Sequence, residues 1–256
     1  MLEIAFAGAT ECGPVRPHNE DFIGHLPPAS EAQLRSRGWL FAVADGVGGS
    51  DRGEVASRMT VETLLAEYGK AGKPGESPAA RLERSIQTAN TVVYEEAHGA
   101  IASTVVACVL RYDRAIVAHV GDSRCYLLRN GRARCLTRDH TVANEQARLG
   151  FSSAPKNVLS RAIGTQLFVN VEINEFEVRR GDMLLLCSDG LHGGVTGENM
   201  ARVAVEAGEK LDAAVRELIA IAYRNDGSDN VSVQMVLLKS VEAVGMYRGR
   251  PYRLHG

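Results

Sequence analysis

Aspartates recur where apolar runs stop. Asp45 closes Trp39-Leu40-Phe41-Ala42-Val43-Ala44, and Asp122 follows Ile116-Val117-Ala118-His119-Val120-Gly121. Asp189 follows Leu184-Leu185-Leu186-Cys187-Ser188, Asp229 stands just before the last apolar run, and Glu20-Asp21 lead into Phe22-Ile23. Taken singly, an aspartate beside glycine at a strand end makes a turn. Five such places invite a second reading, in which the acids meet. Two carboxylates ~5 Å apart repel by roughly 3 kcal/mol at an effective dielectric of about 20. Four or five together exceed what a domain's net stability tolerates, so some must be protonated or cations must sit among them. Oxygen ligands without clustered His or Cys select hard cations, Mg²⁺ or Mn²⁺, over zinc. A pair of such cations sharing a carboxylate suits in-line attack at phosphorus.

Arg16 precedes Asn19-Glu20-Asp21 closely, and a guanidinium binds two oxygens of a phosphate. Gly46-Val47-Gly48-Gly49 supplies backbone without side chains next to Asp45, where a carbonyl or amide can approach an ion. Rival chemistries lack their letters. There is no Gly-x-x-x-x-Gly-Lys-Ser/Thr, and Asp51 stands where a dinucleotide loop starting at Gly46 needs its third glycine. Neither Gly-x-Ser-x-Gly nor His-Glu-x-x-His occurs.

Composition narrows the partners. The 256 residues carry a net charge of −2 with no basic stripe, which argues against nucleic acid. The longest apolar stretches run about ten residues where a membrane helix needs ~20. Met1-Leu2-Glu3 has no basic region ahead of an apolar run, so a secretory signal is not expected. The five cysteines are spread without a Cys-x-x-Cys pair and read as reduced thiols of a cytoplasmic protein.

The elements that must position the acids follow from periodicity. Strands are predicted at 3–10, 21–26, 39–44, 101–111, 115–120, 124–128, 132–136, 169–178, 183–187 and 230–238. Arg129-Asn130-Gly131 marks a hairpin. Helices are predicted at 54–68, with Val55, Met59, Leu64 and Leu65 near one face, and at 79–98, with Leu82, Ile86, Val93 and Ala97. Two more are expected at about 198–207 and 211–223, and a short one near 141–149. Strands in antiparallel groups with paired helices favour an α+β fold with helices layered on sheets, in one unit of residues 1–238. Lys239–Gly256 has no sustained period and reads as a loose tail.

The set Arg16-Pro17-His18-Asn19-Glu20-Asp21, Asp45-Gly46-Val47-Gly48-Gly49 with Gly53-Glu54-Val55-Ala56-Ser57, Gly121-Asp122-Ser123-Arg124, Ser188-Asp189-Gly190 and Asp229-Asn230 resembles the metal-dependent protein phosphatases of type 2C, most of all the bacterial stand-alone members. The resemblance implies an α-β-β-α sandwich of four layers, with two central antiparallel sheets between helix pairs. It implies a two-metal site of Mn²⁺ or Mg²⁺ in which Asp45 bridges both ions. Asp189 and Asp229 complete the first, and Glu20 or Asp21 with the Gly46 carbonyl holds the second. Asp122 and Asp189 match a third ion. Residues 139–164 would be a flap. The implied activity is hydrolysis of phosphoserine and phosphothreonine on proteins by a hydroxide bridging the ions, with Arg16 on the phosphate and a cognate Ser/Thr kinase as the opposing partner. Many members carry a histidine after the bridging aspartate as general acid; Val47 and Ser50 occupy those positions here, which leaves His18 or a metal-held water for the task. The alternative is a catalytically silent module of the same fold that binds a phosphoprotein or kinase. Such a module would have lost part of the acid set, and none is missing.

Overall fold

A computed structural model describes residues 1–47, 52–148, 150, 158–247 and 250–253. In chain order the elements are β1 (Glu3–Glu11), β2 (Asp21–Leu26), α1 (Glu31–Ser36), β3 (Trp39–Asp45), α2 (Gly53–Gly69), α3 (Pro78–Ala97), β4 (Val105–Arg111) and β5 (Arg114–Val120). There follow β6 (Arg124–Arg129), β7 (Arg132–Cys135), α4 (Val142–Arg148), β8 (Glu172–Glu177), β9 (Met183–Cys187), α5 (Asp189–Gly194), α6 (Gly197–Ala207) and α7 (Leu211–Asn225). The chain closes with β10 (Val231–Ser240), β11 (Val244–Tyr247) and β12 (Arg250–Arg253).

Two five-stranded antiparallel sheets, β1-β10-β9-β6-β7 and β2-β3-β4-β5-β8, lie face to face. Between them pack Phe41, Val43, Val106, Cys108 and Leu110 from one sheet and Leu127, Leu184, Leu186, Val236 and Leu238 from the other. The alternate residues of the same strands, Leu40, Ala42, Ala44, Val105 and Ala107, turn outward onto α2 and α3. Leu185, Cys187, Val233 and Met235 turn onto α5, α6 and α7. A strand covered on both faces has no solvent side to mark with polar residues, so it reads as an unbroken apolar run. The four-layer α+β sandwich expected from the resemblance is what the chain forms.

Several details differ from the sequence reading. On α2 the fully covered stripe is Ala56, Ser57, Thr60, Val61, Leu64 and Tyr68, while Val55, Met59 and Leu65 are only partly buried. Small residues let α2 and α3 approach closely, a choice that an apolar count misses. The final strand buries Val236 and Leu238 as well as Val231, Val233, Met235 and Leu237. Two short helices escape the periodicity: α1, capped by the Ser30 hydroxyl, and α5, which starts at Asp189 itself. The tail is not featureless, since β11 and β12 form a hairpin and the Val244 N–H donates to Asp113 Oδ2 at 3.4 Å. Strands of four residues are too short to show a period.

In an antiparallel sheet the end of one strand lies beside the start of the next. Asp21 therefore pairs directly with Asp45 across β2 and β3. Val233 and Arg124 both pair with Cys187, so the start of β10 and the start of β6 flank the end of β9. All five acidic places fall at one pole of the sandwich.

Candidate active site

The acids at this pole interact strongly. Asp21 is 5% exposed; its Oδ2 accepts a 2.7 Å hydrogen bond from Ser188 Oγ. Burial, with the Asp189 and Asp229 charges adding, pushes its pKa up to about 7. Asp45 is driven well above the carboxylate range by burial, then by the charges of Asp21 and Asp189. Burial also lifts Asp122 to about 7, with Asp189 and Asp139 contributing. Glu20 is raised by burial against the pull of Arg16. Among the described residues, Asp21 Oδ1 and Asp189 Oδ1 are buried without a hydrogen-bond partner. Orphaned, deeply placed carboxylate oxygens cost several kcal/mol each unless a proton or a cation meets them.

The surrounding backbone is fixed by side chains from distant segments. Asn230 Oδ1 accepts from the Glu20 N–H at 2.9 Å, and Asn230 Nδ2 donates to the carbonyls of Cys12 and His18 at 2.8 and 2.9 Å. One buried amide thus sets the whole 12–20 loop against the start of β10. Ser188 Oγ also accepts from the Ser232 N–H at 3.0 Å, which fixes the end of β9 while it orients Asp21. The carbonyl of Asp45 accepts from Ser103 Oγ and the Thr104 N–H, and Thr104 Oγ1 reaches Ser123 Oγ at 2.7 Å beside Asp122. The Gly46 N–H donates to the Glu20 carbonyl at 3.0 Å. A Cβ on Gly46 would lie 2.2 Å from the Gly53 carbonyl oxygen and 2.8 Å from that of Glu20, so this approach of three backbones requires glycine.

Arg16 lies at the rim, 40% exposed on its side chain, with Nη2 on Asp229 Oδ2 at 2.8 Å and Nε on the Ser228 carbonyl at 3.3 Å. Partial desolvation weakens its charge, but Asp229, Glu20 and Asp45 more than offset that. His18 is exposed. The fold therefore gathers Glu20, Asp21, Asp45, Gly46, Asp122, Asp189, Asp229 and Arg16 at one pole, with His18 on the solvent side. Gly48, Gly49, Ser50 and the central flap residues 149 and 151–157 lie outside the described residues.

Sequence reasoning missed the residues that hold the acids in place. Asn230, Ser188, Thr104 and Ser123 carry no periodic signal; Asn230, Ser188 and Ser123 sit beside an acid in the motifs, whereas Thr104 sits beside none. Two histidines adjoin the pole as well. His192 Nε2 contacts the Asp122 carbonyl at 3.0 Å, and the His140 ring meets Gly121.

Comparison with known proteins agrees with this geometry. The family model described as Protein phosphatase 2C matches residues 18–231. The serine/threonine phosphatase stp of Listeria innocua is 33% identical over 241 residues, 89% of this chain and 93% of that protein. The S. agalactiae serine/threonine phosphatase structure superposes with a TM-score of 0.82 at 29% identity, covering 92% of this chain and all of that one. The catalytic domain of the phosphatase PstP, solved with two manganese ions, gives 0.77 at 29% identity, covering 93% and 99%. The family model spans most of both sheets, and this protein belongs to the protein phosphatase 2C family.

Proposed function

We propose that the acidic pole is the catalytic centre of a metal-dependent protein phosphatase acting on phosphoserine and phosphothreonine. The observation that carries this is the convergence of buried and half-buried carboxylates, two of them with a buried, unpartnered oxygen, beside an exposed arginine. Hard oxygen donors at that density fit divalent cations. Asp45, Asp189 and Asp229, with Glu20 or Asp21 and the Gly46 carbonyl, would hold two ions, and Asp122 with Asp189 a third; manganese or magnesium suits this set. When bound, such ions activate water as a nucleophile and neutralise charge on the phosphoryl group.

The chain's own groups do the rest. Arg16, open to solvent, binds two phosphate oxygens and orients phosphorus for in-line attack. Ser188 fixes the Asp21 carboxylate, and Asn230 fixes the loop that carries Glu20 and Arg16, so the site is organised before substrate arrives. His18 is the candidate proton donor to the departing serine or threonine oxygen. The phosphatase unit, expected to end at 238 with a tail of 239–256, extends to Ser240, where β10 ends; residues 139–164 are its flap, and the remainder is an appended tail. Among the described residues no helix is long and apolar enough to cross a membrane. We assign the protein to the cytoplasm, opposing a Ser/Thr kinase.

The test is hydrolysis of p-nitrophenyl phosphate and of a phosphothreonine peptide with Mn²⁺ or with excess EDTA. Activity is expected with Mn²⁺, with near-complete loss in EDTA and in Asp45→Asn or Asp189→Asn. Undiminished turnover in EDTA would refute the reading. Phosphoproteomes of a deletion strain and an Asp45→Asn strain should coincide if catalysis, not scaffolding, is the role.

A further inference from the structure

A histidine cluster lies behind the Asp122 turn. The rings of His119 on β5 and His140 stack at 4.5 Å with planes 16° apart, and His140 Nε2 is 3.3 Å from Glu172 Oε2 on β8. The three residues are close enough to suggest a metal triad. The geometry argues otherwise. A shared ion must lie in the plane of each ring it binds, and two stacked, nearly parallel rings offer no such point. Arg161 Nη1 also stands 3.3 Å from His140 Nε2, and Arg138 Nη2 stands 3.6 Å from Glu172, both repelling a cation.

The ring is better used by Gly121. The Gly121 N–H points at His140 Nδ1 at 3.2 Å, and the His140 N–H donates to the Gly121 carbonyl at 2.9 Å. Gly121 has φ +100, a backbone shape that few other residues hold. A peptide N–H only donates, so this contact takes Nδ1 as the bare nitrogen; the ring proton is then on Nε2 facing Glu172, and Arg161 Nη1, 3.3 Å from Nε2, is a close neighbour there and not a hydrogen-bond donor to the ring. His140 is fully buried, which together with His119 and Arg161 keeps the ring neutral. Its own segment is clamped, since Arg124 Nε and Nη2 grip both oxygens of Asp139 at 2.8 and 2.7 Å.

We propose that His140 is a positioning residue: through Nδ1 and its own backbone it locks both sides of the Gly121 peptide and so aims the Asp122 carboxylate at the metal pole. The part concerning ions rests on the reading of Asp122 as an ion ligand; the lock itself does not. Outer groups that orient ligands commonly change metal affinity 10–100-fold.

The experiment compares full-length wild type, His140→Ala, His140→Asn and His140→Gln. Asparagine places an acceptor near Nδ1, whereas glutamine reaches only toward Glu172. In metal-free protein, amide exchange at Gly121 should accelerate about tenfold in the Ala and Gln variants and return toward wild type in Asn. Mn²⁺ titration by electron paramagnetic resonance should show the weakest ion bound about tenfold less tightly in Ala and Gln, with the tighter ions unchanged and kcat reduced. Unchanged Gly121 exchange in a folded Ala variant overturns the lock. So does rescue by Gln instead of Asn, which would assign the ring to Glu172. Faster exchange with unaltered Mn²⁺ binding overturns the aiming of Asp122. Should wild type bind no weak third ion, the ligand reading of Asp122 fails, and Gly121 exchange alone judges the lock. Should the Ala variant not fold, the Asn–Gln contrast decides.

Discussion

Replacing Asp21 by asparagine should stabilise the metal-free protein while weakening its hold on metal. The Asp21 carboxyl titrates near 3.8 in an unfolded chain and at about 7 in the fold, because burial and its acidic neighbours penalise the charged form. A group whose folded pKa is raised binds its proton more tightly when folded. Stability is therefore lost as pH rises above 3.8, and the loss is complete above about 7. At ~1.4 kcal/mol per pKa unit the full penalty is about 4 kcal/mol near pH 8 and just under 2 kcal/mol at pH 5. Asparagine never ionises, and its carbonyl can still accept from Ser188. Allowing ~1 kcal/mol for a weaker bond there, the variant should exceed wild type by roughly 2–3 kcal/mol at pH 8 in EDTA. That corresponds to a melting point roughly 5–10 °C higher for a chain of this size. The gap should narrow to about 1 kcal/mol or less as pH falls to 5, and histidine titration common to both proteins cancels in the difference. Mn²⁺ should shrink the gap, since an ion at 100-fold over its dissociation constant adds about 2.7 kcal/mol to the protein that binds it and less to a variant that binds it more weakly. Calorimetric melts at pH 5 and pH 8, with EDTA and with Mn²⁺, test this. A variant that melts below wild type at pH 8 in EDTA, or a gap independent of pH, would refute the claim that buried acids are held together against their own repulsion.

Other perturbations separate the remaining roles. Arg16→Ala should raise KM for a phosphopeptide about 10–100-fold, the size of a charge-assisted bond, with a smaller change in kcat; a loss confined to kcat would contradict phosphate binding. His18→Ala should lower activity more at high pH, where other proton donors are scarce, and an unchanged pH–rate profile would remove His18 from proton transfer. Gly46→Ala forces a methyl to 2.2 Å from the Gly53 carbonyl oxygen, so turnover and melting temperature should fall together. Wild-type stability in that variant would show that Gly46 and Gly53 do not sit as close as described.

The sheets and the acids could be read from the linear chain for the same reason. Residues 40–44, 115–120 and 183–187 are buried on both faces, and sustained burial leaves a largely apolar run whatever the topology. Each run ends in an acid where the backbone leaves the sheet, so the ligand candidates announce themselves at strand ends. Helix faces were legible only in part, because α2 uses Ala56, Ser57 and Thr60 for close packing and keeps Met59 partly exposed.

What the sequence determined by itself was chemical type: hard oxygen donors, an arginine for phosphate, and antiparallel strands to carry them. What only the tertiary structure decided was how those groups are held. Asn230 binds Glu20 and His18 across more than 200 residues of chain, Ser188 orients Asp21, and His140 closes on Gly121. Such bonds leave no periodic trace, because a hydrogen bond between remote segments constrains one atom pair and not a pattern of neighbours. The upward drive on the acids' pKa values is likewise a property of their convergence, which exists only once both sheets have formed.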